Sequence, residues 1–104
     1  MIVRWTERAK KSLHIVEDYI LQEFGEHKRT EFMTQAEQVS IQLEKFPNMG
    51  KLEPLLAHRK IPYRSYLITR KTKMIYYVDS DLQSVFISDV WDIRREPKHA
   101  SKGL

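Results

Sequence analysis

The chain contains no cysteine among its 104 residues. Disulfide bonds, thiolate catalysis and zinc sites with cysteine ligands are therefore excluded, and a reducing cytoplasm fits this composition. With only three glycines, the sequence has no glycine-rich loop to cradle a phosphate. Its acidic residues occur singly or as the pair Glu17-Asp18, without the spacing of a metal site. We therefore expect no metal, no other cofactor and no small-molecule substrate.

Long hydrophobic runs are also lacking. No stretch of about 18 apolar residues occurs, so the sequence predicts no membrane-spanning helix. The first residues, MIVRWTERAKK, hold no apolar segment of secretory length, so we expect no signal peptide. Apolar residues still make up 41% of the chain and are spread along it, which indicates one domain with a modest core. We expect that domain to span 1–97, followed by a polar tail over 98–104.

Charge is distributed unevenly along the chain. Residues 1–50 carry 7 basic and 8 acidic side chains, a balance of −1, whereas residues 51–104 carry 11 basic and 6 acidic ones, a balance of +5. The second half is therefore the better candidate for contact with a polyanion or an acidic protein.

Two apolar stripes with helical spacing occupy the first half of the chain. The first predicts a helix over about 6–24, which Thr6 can cap and Gly25 can end. The second predicts a helix over about 26–46, which Pro47 ends. Core packing is the expected role of both stripes, whose members are Ala9, Leu13, Val16, Ile20 and Phe24, and then Phe32, Ala36, Val39, Leu43 and Phe46.

Short β-prone segments flank the two helices. They predict strands over 2–5, 61–70, 73–78 and 84–91, with an irregular loop over 47–60 that contains two prolines and a glycine. The resulting order, β-α-α-β-β-β, predicts an α+β fold in which a helical hairpin packs on a mainly antiparallel four-stranded sheet. Val90 and Trp91 are expected to be the last core residues of the sheet.

This order of elements, together with five local motifs, resembles the RelE/ParE superfamily of bacterial toxins from type II toxin–antitoxin modules. The resemblance covers about residues 1–97. Its motifs are YILQEFG (19–25), LEKFPNMG (43–50), YRSYLI (63–68), MIYYVD (74–79) and VWDIRREP (90–97).

The resemblance implies a cytoplasmic toxin with one of two activities. ParE-like members bind and poison DNA gyrase, whereas RelE-like members enter the ribosomal A site and cut mRNA. Both are held inactive by a cognate antitoxin, whose extended segment wraps the toxin and neutralises its basic face.

A metal-independent ribonuclease needs a base, an acid and cations around the reacting phosphate. RelE-like members collect these groups on the concave face of the sheet, in the loop before it and near the end of the last strand. The corresponding catalytic candidates are His58, Lys60, Arg64, Asp92, Arg94 and Arg95. Alternation along the strand places Arg64, Tyr66 and Arg70 on one face. The candidates for binding antitoxin or target are Arg64, Tyr66, Arg70, Arg94 and Arg95.

The residues favour the gyrase alternative slightly. Asp92 stands where many ribonuclease-type relatives have a histidine or tyrosine, and an ion pair with neighbouring arginines would hold its pKa too low for a base. Both predicted helices are long, which is typical of ParE-like members. The alternatives are a ribosome-dependent mRNA endonuclease and a basic interaction domain without toxicity.

Overall fold

The computed structural model describes residues 1–94 and 104 and confirms the predicted α+β fold. Its elements are β1 (Ile2–Trp5), α1 (Glu7–Phe24), α2 (Glu26–Lys45), β2 (Lys51–Leu52), a short 3-10 helix (Pro54–Leu56), β3 (Arg64–Thr69), β4 (Thr72–Asp79) and β5 (Ser84–Asp92). The sheet has five strands instead of the predicted four, because Lys51 and Leu52 pair with Ser65 and Arg64. Two residues are too few to show a periodicity in sequence.

The strands lie in the order β1-β5-β4-β3-β2. β1 runs parallel to β5, with Ile2 opposite Ser84, and the other pairings are antiparallel. Between β4 and β5 the register shifts, so that Ile75 lies opposite Asp89 and Tyr76 opposite Ile87. Ser88 is therefore an extra residue in β5, which forms a β-bulge in this strand.

The helical hairpin begins and ends close to the predicted positions. The Thr6 hydroxyl accepts the Ala9 backbone N–H at 3.1 Å and so caps α1. Gly25 separates the two helices with a φ of +91°, a conformation that favours glycine. Neither helix is long and apolar enough to cross a membrane.

The main core lies between this hairpin and one face of the sheet. Its best buried members include Ala9, Leu43, Met74, Val85 and Ile87, each fully shielded from solvent. The last residue of each predicted stripe is an exception, because Phe24 is 57% exposed and Phe46 is 62% exposed. Phe24 is the last residue of α1 and Phe46 directly follows the last residue of α2, so the prediction that these two belong to the core is wrong.

The opposite face of the sheet, here called the open face, has a smaller apolar cluster formed by Leu56, Tyr63, Ile75 and Trp91. Val90 and Trp91 are both buried, as predicted, but they serve different clusters. Beside the open-face cluster, the Lys73 ammonium forms an ion pair with the buried carboxylate of Glu53 and lies 5.2 Å from the centre of the Trp91 ring.

Candidate functional site

Arg64 begins β3 directly opposite Tyr76, on the side of the sheet that the helices cover. Its guanidinium donates to the Gly50 carbonyl at 2.7 Å, and the Tyr76 hydroxyl accepts the Gly50 backbone N–H at 2.9 Å. Burial raises the pKa of Tyr76, so this hydroxyl accepts the bond as a neutral phenol. Arg64 therefore holds the loop before β2 against the sheet.

We expect Tyr76→Phe to lower the free energy of unfolding by about 1–3 kcal/mol, because the buried Gly50 N–H would lose its acceptor. Urea unfolding of the purified chain measures this loss. Tyr66→Phe is the matched control, since Tyr66 is 37% exposed, and should change the same quantity by less than about 0.5 kcal/mol. Equal effects of the two substitutions would contradict a structural role for the Tyr76 hydroxyl.

The other loop candidates, His58 and Lys60, lie in the exposed connection between the 3-10 helix and β3. Within residues 1–94 and 104, no hydrogen bond or ion pair joins either side chain to another group. Strand β3 also starts later than predicted. Pro62 has no backbone N–H to donate, and the Tyr63 N–H instead bonds back to the Ile61 carbonyl at 2.9 Å.

Arg70, Asp92 and Arg94 lie near one another at the other end of the sheet, where they line one groove. The Arg94 backbone N–H donates to the Asp92 carboxylate at 2.9 Å, and its guanidinium Nε lies 3.4 Å from the same oxygen. The hydrogen bond and charge of Asp92, with a smaller contribution from Tyr19, raise the pKa of Arg94. Arg70 lies in the turn after β3 and not on the strand, because the pairing shifts after Leu67. Arg95 and residues 98–103 of the predicted tail lie outside the described residues.

The register separates the two groups of candidates. Arg64 lies opposite Tyr76 on β4, whereas Asp92 lies opposite Thr72 on the same strand. Four residues of a strand span about 13 Å, and β3 and β5 lie on opposite sides of β4. The structure therefore brings Arg70, Asp92 and Arg94 together and leaves Arg64, His58 and Lys60 elsewhere.

A groove of about 330 Å³, here called the terminal groove, opens between the helical hairpin and the end of the sheet that carries Asp92. Val16, Ile20 and Phe32 supply apolar lining from the two helices. Tyr19 and Phe24 also line it, with their rings edge to face at a centroid distance of 6.3 Å.

Charged side chains line the same groove. Lys28, Arg70, Lys71 and Arg94 supply four cations, and Glu31 and Asp92 supply two carboxylates. Arg70, Asp92 and Arg94 are among the residues predicted from sequence, whereas the aromatic and lysine members of the groove are not. One feature of the sequence could have indicated the aromatic members. Phe24 is the last residue of its apolar stripe and stands directly before the glycine that ends the helix, where a core position is less expected.

A two-helix hairpin packed on a five-stranded, mainly antiparallel sheet is the RelE/ParE-like fold that the sequence resemblance implies. Comparison with protein-family models identifies residues 3–97 as the ParE toxin of type II toxin–antitoxin system, parDE. The chain therefore belongs to the ParE toxin family.

Comparison with solved structures supports the same fold. A chain of the chromosomal ParDE toxin–antitoxin system from P. aeruginosa matches with a TM-score of 0.71 over 90% of this chain and 97% of that chain. The two sequences are 18% identical, so this similarity concerns the fold. No curated protein sequence matches the chain significantly.

Proposed function

We propose that this ParE-family chain inhibits growth by binding DNA gyrase without hydrolysing a substrate, and that a cognate antitoxin restrains it. Membership of the ParE toxin family supports the toxin–antitoxin part of the proposal. A separate observation, the arrangement of the candidate catalytic residues, favours gyrase over ribosome-bound mRNA as the target.

The dispersal of the acid–base candidates is the observation that carries this choice. Arg64 and Asp92 lie at different ends of β4, and His58 and Lys60 lie in an exposed turn. A ribonuclease must hold its base, acid and phosphate-binding cations within hydrogen-bond reach of one substrate. Among residues 1–94 and 104, no such set surrounds a single position.

The composition of the open face gives further support. RelE-like ribonucleases place reactive groups on the concave face of the sheet, but here Ile75, Tyr63 and Trp91 fill much of that surface. The charged groups beside them, Glu53 and Lys73, neutralise each other in an ion pair. A buried pair of this kind is more typical of a structural role than of proton transfer.

Induction of the chain in cells that lack its antitoxin tests the proposal. We expect growth arrest with filamentation, a DNA-damage response and intact mRNA, and we expect the purified chain to inhibit gyrase supercoiling. The matched control is induction together with the antitoxin, which should restore growth.

Two results would contradict the gyrase proposal. Rapid loss of mRNA with arrest of translation would indicate the ribosome-dependent endonuclease. Normal growth at a verified level of folded chain would indicate a basic interaction domain without toxicity. Protein abundance and circular dichroism of the purified chain establish that the expressed protein is folded in each case.

A further inference from the structure

Three large apolar side chains are exposed at the end of the sheet opposite the terminal groove. Ile2, Phe46 and Leu82, here called the apolar tip, are 57%, 62% and 60% exposed. Among residues 1–94 and 104, five large apolar side chains are more than 55% exposed, so three of the five lie at this end. Single exposed apolar residues are common on protein surfaces, whereas a group of them is typical of a protein-binding surface.

Two hydrogen bonds at the start of the chain bring the members of the apolar tip together. The Met1 amino group donates at 2.8 Å to a backbone carbonyl near the end of α2, two residues before Phe46. The Ile2 backbone N–H donates at 3.0 Å to the carbonyl of Gln83, the residue that directly follows Leu82. Since β1 and β5 are neighbouring strands, about 5 Å apart, one partner surface can reach the three side chains.

The β4–β5 turn that carries Leu82 is held in a defined conformation. The Asp79 carboxylate accepts the Leu82 backbone N–H at 3.1 Å, and the Ser84 hydroxyl donates to the Leu82 carbonyl at 2.9 Å. Gln83 has a φ of +48°, which is uncommon for a residue other than glycine, and its side-chain amide donates to the Ser80 carbonyl at 2.6 Å. A turn fixed in this way loses little conformational freedom when a partner binds Leu82.

The same turn carries two carboxylates, although the chain as a whole has a formal charge of +4. Asp81, directly before Leu82, is exposed. Within the described part of the chain, neither Asp79 nor Asp81 forms an ion pair, and the nearby Arg4 donates instead to the Ser84 hydroxyl at 3.1 Å. These carboxylates would repel nucleic-acid phosphates and would equally repel a segment that neutralises a basic face with its own carboxylates. They complement a protein partner whose apolar surface is bordered by lysine or arginine.

We infer that the apolar tip, with Asp81 at its edge, is the surface through which this chain binds gyrase. The inference rests on the proposed function, which supplies the target. Leu82 is the central anchor and enters an apolar pocket of the partner, while Ile2 and Phe46 pack against the surface around that pocket. A lysine or arginine of the partner pairs with Asp81.

Leu82 can be replaced without removing the bonds that hold its turn. Both hydrogen bonds described for Leu82 are made by its backbone N–H and carbonyl, so Leu82→Asn removes the apolar side chain and leaves them in place. Leu67→Asn is the matched control, because Leu67 is 52% exposed. Leu67 lies opposite Lys73, six residues from Asp79 along β4, which is a distance of about 20 Å.

Titration of the purified variants with purified DNA gyrase tests the apolar part of the inference. We expect Leu82→Asn to weaken binding by at least tenfold, with a parallel rise in the concentration that inhibits supercoiling. Phe46→Gln, which changes a different element, should weaken binding by at least threefold. Leu67→Asn should stay within about twofold of the unchanged chain.

Reversal of one charge tests the electrostatic part. We expect Asp81→Lys to weaken gyrase binding by at least threefold at about 0.1 M salt. The effect should shrink at about 1 M salt, where the screening length falls from about 10 Å to 3 Å. Asp18→Lys makes the same reversal at an exposed position of α1 and should change the affinity by less than about twofold.

The inference is overturned if Leu82→Asn and Phe46→Gln bind gyrase as tightly as Leu67→Asn does, while circular dichroism shows the same fold in all three. It is also overturned if light scattering shows a dimer of the unchanged chain that Leu82→Asn dissociates, because the tip would then bind a second copy. Failure of the proposed function is distinguishable, since the unchanged chain would then neither bind gyrase nor inhibit supercoiling, and the inference would fail with it.

Discussion

Lys73→Met is expected to lower the free energy of unfolding by about 3–5 kcal/mol at pH 7, because it leaves the Glu53 carboxylate buried without its cation. Glu53 is only 2% exposed. The Glu53 carboxylate also accepts the Leu55 backbone N–H at 2.9 Å and in this way caps the 3-10 helix. Methionine preserves most of the length of lysine and can still contact the Trp91 ring, so the loss reports on charge.

The pH dependence of this effect has a definite sign. In the unchanged chain, burial acts to raise the pKa of Glu53, but bonds from Lys73, Leu55 and Ser65 outweigh it, and the pKa lies below its ordinary value of 4.5. A lowered pKa in the folded state stabilises the protein above pH 4.5, and this contribution is lost as pH falls through the folded pKa.

In Lys73→Met the pKa of Glu53 rises, because burial then acts with fewer opposing bonds. Protonation of the carboxyl relieves the buried charge, so the deficit of the variant should shrink between pH 7 and pH 4. Urea unfolding at both values measures it. Lys71→Met is the matched control at an exposed turn position and should cost less than about 0.5 kcal/mol. If the loss of unfolding free energy in Lys73→Met grew toward pH 4, Lys73 would not be the cation that compensates the buried Glu53 carboxylate.

Asp89→Ala is expected to lower the free energy of unfolding by about 2–4 kcal/mol, because several donors would lose one buried acceptor. Asp89 is 3% exposed. Its carboxylate accepts the Ser12 hydroxyl at 2.5 Å, Arg8 Nε at 3.1 Å and Trp91 Nε1 at 3.0 Å. These bonds attach α1 to β5 next to the bulge at Ser88.

Hydrogen exchange in Asp89→Ala can show whether α1 alone is loosened, which the overall free energy of unfolding cannot show. If Asp89 holds α1 to the sheet, amides in the first half of α1 should exchange faster at concentrations of urea too low for unfolding. Asp81→Ala, in the exposed β4–β5 turn, is the control and should alter neither measurement appreciably. Uniform acceleration across all strands would show that Asp89 has no specific role in holding the helix.

The elements with a regular apolar period could be predicted from the sequence. Ala9 and Leu43 belong to stripes of this kind, and both are fully buried. Strand β2 could not be predicted, because two residues carry no period and their pairing depends on the distant Ser65. The spacing of Phe46 predicts a core position, but spacing does not indicate where a helix passes the edge of the sheet, and Phe46 is exposed.

The candidate site was predictable only in part, for a similar reason. The family resemblance points to Arg70, Asp92 and Arg94, but their position beside Tyr19 depends on how the hairpin lies over the sheet. Sequence also gave no indication that Arg64 lies about 13 Å along β4 from Asp92, since that distance follows from the register of two strand pairs.

The parallel pairing of β1 with β5 has a consequence for when this chain can complete its fold. Ile2 lies opposite Ser84, and the two are 82 positions apart in sequence (84 minus 2). The helical hairpin and the β3–β5 meander rest on contacts close in sequence, whereas β1 must wait for β5 to be synthesised. At about 5–20 residues per second, that wait lasts several seconds on the ribosome. A nascent chain therefore lacks its complete sheet until β5 has been synthesised, which delays completion of the ParE-family fold.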